Sequence, residues 1–192
     1  AKTAKEYGYD ALLLSPGGLS HLTEEEMIER TKAVAEVMPV IGFYLQPSVG
    51  GRVFSDKYWE KICEIQGVVA IKAAPFDRYL TADVVRAAAL SSRADEITLY
   101  TGNDDNILID LSATYEFVKN GKSYSKKFEG GLLGHWSVWT HAAVQLFQKI
   151  KEKRLPPEKL LTLAVQITDA NSAFLTRPTI FEGVLQGFMK CC

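Results

Sequence analysis

Gly67-Val68-Val69-Ala70-Ile71-Lys72-Ala73-Ala74-Pro75 decides the fold. Four apolar residues between a glycine and a proline predict a short strand buried on both faces. Such strands belong to parallel sheets covered by helices. Lys72 closes the run and so stands at the strand's C-terminal end, at the mouth of an apolar scaffold. Burial there disfavours the ammonium form and lowers the pKa of the amine. A neutral amine attacks carbonyls and supports Schiff-base catalysis. The alternative is a lysine whose stem lies along the strand end while its charge reaches water.

Outward from this strand the same alternation repeats. Ala11-Leu12-Leu13-Leu14, Val40-Ile41-Gly42-Phe43-Tyr44 and Ile97-Thr98-Leu99-Tyr100 are further short apolar runs, and Gly130-Gly131-Leu132-Leu133 is a weaker fifth. Between them lie amphipathic helices. Thr23 and Glu26 form a capping box ahead of Met27, Ile28, Thr31, Val34, Ala35 and Met38. Ser55 caps a helix with Tyr58, Trp59, Ile62 and Cys63 on one face, and Thr81 is the expected cap of the next. Ala1 to Tyr7 reads as a helix, and so does Asn106 to Phe117. Val118 to Phe128 reads as a long polar loop, and Trp139 to Lys190 as helices broken at Pro156-Pro157 and Asp169-Ala170-Asn171.

Alternating strands and helices predict an α/β fold. No glycine-rich phosphate loop opens a helix after the first strand, so a dinucleotide fold is unsupported. The strands instead end in Ser15, Tyr44, Lys72, Asp104 and His135, and the C-terminal strand ends are where (β/α)8 TIM barrels assemble their sites. The expectation is such a barrel, represented by roughly strands 4–8 plus C-terminal helices. Residues 1–155 would form the barrel part, and 156–192 a helical segment packing on the barrel or a neighbouring subunit. Five units cannot close eight strands, so further strands are expected beside Ala11–Leu14 or Leu132–Leu133.

Composition narrows the function. The 192 residues are 47% hydrophobic and 23% charged with a net charge of −1, an ordinary globular balance. Near-neutrality offers no general field for nucleic acid or a membrane surface. The one basic cluster is Lys119, Lys122, Lys126 and Lys127, read as a solvated loop. No apolar run approaches a membrane span, and no signal peptide is visible. The three cysteines show no metal-ligand spacing and suit a reducing cytoplasm.

Several strand-end residues carry two readings. The Tyr44 phenol either relays protons to a carbonyl oxygen or is a core tyrosine with a satisfied hydroxyl. Arg52 either holds a substrate carboxylate or lies on the surface. Asp104 and Asp105 either orient a substrate hydroxyl or cap the following helix. His135 and His141, beside Trp136 and Trp139, lack a third ligand, so packing is preferred to metal. Gly17-Gly18 reads as a turn. Neither metal nor cofactor is expected.

Taken in order, Ala11-Leu12-Leu13-Leu14-Ser15-Pro16, Tyr44-Leu45-Gln46-Pro47, Val69-Ala70-Ile71-Lys72-Ala73-Ala74 and Tyr100-Thr101-Gly102-Asn103-Asp104-Asp105 resemble the dihydrodipicolinate synthase / N-acetylneuraminate lyase family of class I aldolases. That family carries Thr-Pro, Tyr-Asn-x-Pro, Gly-Ile-Lys and Ser-Gly-Asp-Asp motifs at its fourth to seventh strand ends. The resemblance covers roughly Ala1 to Val144. It implies that Lys72 forms the Schiff base with a 2-oxo acid, that Tyr44 relays protons, and that Leu133 offers backbone to the bound acid. Ser15 and Asp104 would contact substrate, with Arg52 a looser match.

The departures imply a substrate of its own. Gly17-Gly18 stands where the synthases have Tyr-Tyr, Ala73 follows the lysine, and Pro75 replaces Thr or Ser. The leading expectation is a Schiff-base lyase or aldolase acting on a pyruvate-type acid in a homo-oligomer. The alternatives are a hydratase or decarboxylase of a sugar-acid derivative on the same lysine, or a non-catalytic small-molecule-binding paralogue.

Overall fold

The computed structural model describes residues 1–134 and 140–176. His135, Trp136 and Trp139 lie outside the described residues, as do Phe181, Leu185, Phe188, Cys191, Cys192 and the side chain of Phe174. Two compact units are present. One comprises Ala1–Tyr100 with Thr114–Gly130, the other Thr101–Ala113 with the chain from Gly131 onward.

The first unit opens with helix α1 (Lys2–Glu6) and then alternates β1 (Leu12–Leu14), α2 (Glu24–Ala35), β2 (Val40–Leu45), α3 (Asp56–Cys63), β3 (Val68–Ala74), α4 (Arg78–Leu90) and β4 (Thr98–Thr101). The sheet order is β1-β2-β3-β4-β7, where β7 is Phe128–Gly131, so β1 and β7 are its edges among the described residues. β1 pairs with β2, and β2 with β3, in parallel. Sequential parallel strands joined by helices bury their apolar sides beneath those helices. Val40, Val68, Ile71, Ala73, Val84, Val85 and Leu99 are all fully enclosed.

The caps explain where the helices begin. The Glu26 N–H donates to Thr23 Oγ1 (3.2 Å) and the Thr23 N–H to Glu26 Oε2 (2.7 Å), the reciprocal pair expected of a capping box. The Tyr58 N–H donates to Ser55 Oγ at 3.1 Å. The third cap differs from expectation. Asp77 Oδ1 accepts from the Leu80 N–H at 2.9 Å, while Thr81 lies one turn inside, its hydroxyl donating to the Asp77 carbonyl. Phe76, at φ 55°, reverses the chain early enough for the aspartate to take the cap.

The largest correction concerns residues 113–128. Helix α5 runs only from Ile107 to Ser112, and Ala113 leaves it in extended backbone. Tyr115–Lys119 (β5) and Lys122–Lys126 (β6) then form an antiparallel hairpin in place of a helix tail and a loop. Asn120 and Gly121, at φ 52° and 74°, are the two left-handed residues of a tight hairpin turn, and aromatic and β-branched residues favour the extended flanks. The hairpin packs on α4 in the first unit, with the Arg86 guanidinium 5.2 Å from the Phe117 ring centre. β7 also lies two residues earlier than the Gly130–Leu133 expectation.

The second unit packs α5 with α6 (Thr140–Lys151) and α7 (Pro157–Thr176) around Ile107, Leu108, Ile150, Ala164 and Ile167. Pro156-Pro157 separates α6 from α7 as expected, but Asp169-Ala170-Asn171 does not interrupt α7. Ala170 is buried there, and Asn171 Nδ2 donates to the Ile167 carbonyl within the helix. No described helix is long and apolar enough to cross a membrane.

Candidate active site

Lys72 sits in the last half of β3, and its register across to β2 determines its surroundings. Val40 pairs with Val68, but Ile41 pairs with Ala70, so Val69 is an extra residue and the register shifts by one. Beyond this bulge Phe43 is the partner of Lys72, and Tyr44 is the partner of Ala73. Side chains alternate along β2: Val40, Gly42 and Tyr44 are buried, while Ile41, Phe43 and Leu45 are half-buried. Lys72 shares the more open face with Phe43, and its Nζ lies 4.5 Å from the centre of the Phe43 ring. Arg93 fixes the other end of β3, donating from its buried guanidinium to the carbonyls of Ile65 and Val68.

Tyr44 occupies the opposite face and is wholly buried. Its ring lies 5.1 Å from Trp59 and 5.7 Å from Phe54, in a cluster completed by Tyr58. Its hydroxyl accepts from the Phe54 N–H at 3.2 Å. Burial pushes the phenol above its ordinary pKa, partly offset by that N–H. The expected relay beside Lys72 is therefore corrected. Adjacent strand residues leave opposite faces of the sheet, and Tyr44 fills the helix-side core with a satisfied hydroxyl.

Arg52 is committed locally as well. Nη1 donates to the Leu22 carbonyl, and the guanidinium carbon lies 5.4 Å from the centre of the Phe54 ring. It ties the loop after β2 to the loop before α2. Gly51 makes that loop possible, because a Cβ there would lie 1.9 Å from the Leu45 carbonyl oxygen. Ser15 is exposed just beyond β1, where its Oγ accepts from the Gly17 N–H at 3.1 Å and helps turn the chain at Gly17-Gly18.

In the second unit, Asp110 is fully buried on α5 and gathers three donors. Thr101 Oγ1 and Asn103 Nδ2 donate to Oδ2 at 2.6 and 3.0 Å, and Asn106 Nδ2 to Oδ1 at 2.9 Å. From α7, Asn171 Nδ2 donates to the Asp104 carbonyl at 3.0 Å and Thr168 Oγ1 to the Asp105 carbonyl at 2.5 Å. The loop carrying Asp104 and Asp105 is thus held from two sides. Neither aspartate is the cap of α5, whose N-cap is Asn106. Leu133 packs against the Ile107 and Leu108 core. His141 is exposed, with Nε2 2.9 Å from Gln145 Nε2.

A cavity of about 750 Å³ lies in the outer helix layer, lined by residues including Lys32, Glu36, Glu60, Lys61 and Glu64. Neither Lys72 nor Phe43 lines it, and its mixed charges match no single ligand sign. Phe43 and Asp110 are the residues the sequence left unread. Strand alternation combined with the bulge would have found the first, whereas nothing local distinguishes Asp110 from a surface aspartate.

No family model matches the chain. It is 35% identical over 114 residues to the 4-hydroxy-tetrahydrodipicolinate synthase of Clostridium tetani, a match covering 58% of this chain and 37% of that protein. The chain thus spans little more than a third of that relative's length. Its fold resembles a dihydrodipicolinate synthase from Bacillus anthracis (TM-score 0.70, 19% identity, covering 93% of this chain and 55% of that one). It also resembles the N-acetylneuraminate lyase of Mycoplasma synoviae (TM-score 0.64, 15% identity, covering 93% and 53%). The α/β architecture is that of part of a (β/α)8 barrel.

Proposed function

We propose, from the chain's standing as a divergent relative of the dihydrodipicolinate synthase / N-acetylneuraminate lyase family, that it supplies the reactive lysine of a Schiff-base lyase acting on a 2-oxo acid such as pyruvate. The observation that carries this reading is the position of Lys72 on the open face of β3, past the bulge, against Phe43. The amine adds to the ketone carbon, the ketone oxygen leaves as water, and a C=N iminium remains. Electrons from the C–C bond broken at the adjacent carbon flow to nitrogen, giving an enamine, while the departing fragment leaves as an aldehyde and its hydroxyl proton passes to water. Protonation at carbon and addition of water release the product and restore the amine.

Ser15, exposed beyond β1, is proposed as a substrate contact. Arg52 is a looser candidate for the same role, since one of its guanidinium nitrogens already serves the Leu22 carbonyl. The reading includes a homo-oligomer, which sedimentation of the full-length protein tests.

One observation favours a second reading. The aromatic group facing Lys72 is a phenyl ring and not a phenol, so no hydroxyl from β2 moves protons there. Decarboxylation of a sugar-acid derivative on the same iminium releases CO2 into that electron sink and, unlike cleavage beside a hydroxyl, needs no base to take a hydroxyl proton.

Incubating the full-length protein with pyruvate and borohydride tests the shared premise. The expected result is a reduced adduct on the peptide containing Lys72, absent in Lys72→Ala and not restored by Lys72→Arg, since a guanidinium is not deprotonated in proteins. An adduct on Lys57 or Lys61, or none with any 2-oxo acid, overturns the assignment.

A further inference from the structure

We infer that Phe43 is a positioning residue for Lys72, presenting its ring face to the cationic nitrogen both before and after condensation with substrate. The inference rests on the Schiff-base reading above. Three observations carry it. Phe43 and Lys72 are paired by register, which fixes their Cβ atoms side by side on one face. Nζ lies 4.5 Å from the ring centre, within the roughly 6 Å range of a cation–π contact. The ring is half-buried and not part of the helix-side core, so it is placed at the face where the amine works.

The chemistry follows from charge. The free lysine is an ammonium when protonated, and the condensed species is an iminium whose nitrogen keeps a proton and a positive charge. The ring quadrupole attracts both, whereas the neutral imine and the enamine feel little of it. Stabilising the cation keeps the imine protonated, and the protonated form is the electron sink that the neutral imine is not. A phenyl ring accomplishes this without a dissociable proton, so proton movement falls to water, to the substrate's own carboxylate, or to groups outside β2. The pairing depends on the register shift at Val69, since the same residues paired without that shift would set Tyr44 opposite Lys72.

The test uses the full-length protein and pyruvate in deuterated water, following exchange of the methyl protons by NMR. Exchange requires iminium and enamine but no second substrate. Phe43→Leu keeps an apolar side chain and removes the ring face, and Phe43→Tyr keeps the ring. The maximal exchange rate of Phe43→Leu is expected to fall about two- to five-fold, the worth of an exposed cation–π contact, with the pyruvate concentration for half-maximal rate little changed. Phe43→Tyr is expected to stay near wild type. Melting curves of all three proteins show whether each is folded, and Phe43→Trp serves as the ring-retaining variant if the tyrosine does not fold. Wild-type exchange with an unaltered Phe43→Leu rate overturns this inference alone, as does equal loss in the leucine and ring-retaining variants. A wild-type protein giving neither adduct nor exchange overturns the Schiff-base reading and this inference with it.

Discussion

Phe43 and Lys72 are register partners across β2 and β3, with the amine 4.5 Å from the ring centre. The adjacent aromatic, Tyr44, turns the other way and builds the core with Trp59 and Phe54. Two neighbouring rings on one strand are therefore divided between two tasks, one facing the open side of the sheet and one holding the helix layer.

Tyr44→Phe is expected to affect stability and leave chemistry largely intact. Removing the hydroxyl strands the buried Phe54 N–H, at a cost of about 1–3 kcal/mol. Urea denaturation should show this loss while borohydride trapping on Lys72 persists. A fall in turnover of roughly 10²–10⁴-fold at unchanged stability would instead restore the tyrosine to a relay role.

Asp110→Ala should loosen the loop that follows β4. Three side-chain donors, from Thr101, Asn103 and Asn106, lose their acceptor together. Loss of the acceptor for the buried Thr101 hydroxyl alone costs about 1–3 kcal/mol before relaxation. Hydrogen exchange at the amides of Asn103 to Asn106 should accelerate more than exchange in β2 or β3. Uniform acceleration across the chain would contradict a local anchoring role.

Gly121→Ala should weaken the hairpin. At φ 74° the added Cβ is strained, and the expected cost is about 1–2 kcal/mol. Gly8→Ala, at φ 77° but in a segment apart from the hairpin, serves for comparison. Loss of ordered hairpin amides only in the Gly121 variant would support the turn assignment, and an unchanged hairpin would refute it.

Acid should remove a contribution centred on Glu64. The Ser92 hydroxyl, then the Ser92 N–H, hold its carboxyl below the ordinary 4.5, so its folded pKa is depressed. The associated stability is present in full above 4.5 and is lost as pH falls through the lowered value. Glu26, held down chiefly by the Thr23 N–H, acts in the same direction. Ser92→Ala should narrow the gap between neutral and acidic denaturation midpoints. An equal or wider gap in that variant would count against the linkage.

Much of the fold was legible because it rests on local signals that agree. The apolar runs ending near Leu14, Tyr44, Lys72 and Tyr100 became strands, and Thr23 and Ser55 became caps because their hydroxyls need only the next turn. The hairpin was obscured by its lysines, although Asn120-Gly121 carries a turn signal that polarity alone conceals. The break expected at Asp169-Ala170-Asn171 failed because packing of Ala170 and the bonds of Asn171 outweigh weak helix propensity. At the site, Lys72 was found on its strand. Its neighbour was not, because spacing along a chain counts residues while a sheet counts pairs, and Val69 makes those counts differ by one.

That single supernumerary residue also governs how the site can be inherited. No point substitution moves Tyr44 and Phe43 between faces, since alternation fixes them. Pairing the same residues without the shift would instead bring Lys72 into line with Tyr44 on the helix side and withdraw the amine from the open face. Relatives with nearly the same letters in the same order can thus differ in which aromatic their lysine meets. The difference then lies in pairing register, which comparison of side chains position by position passes over.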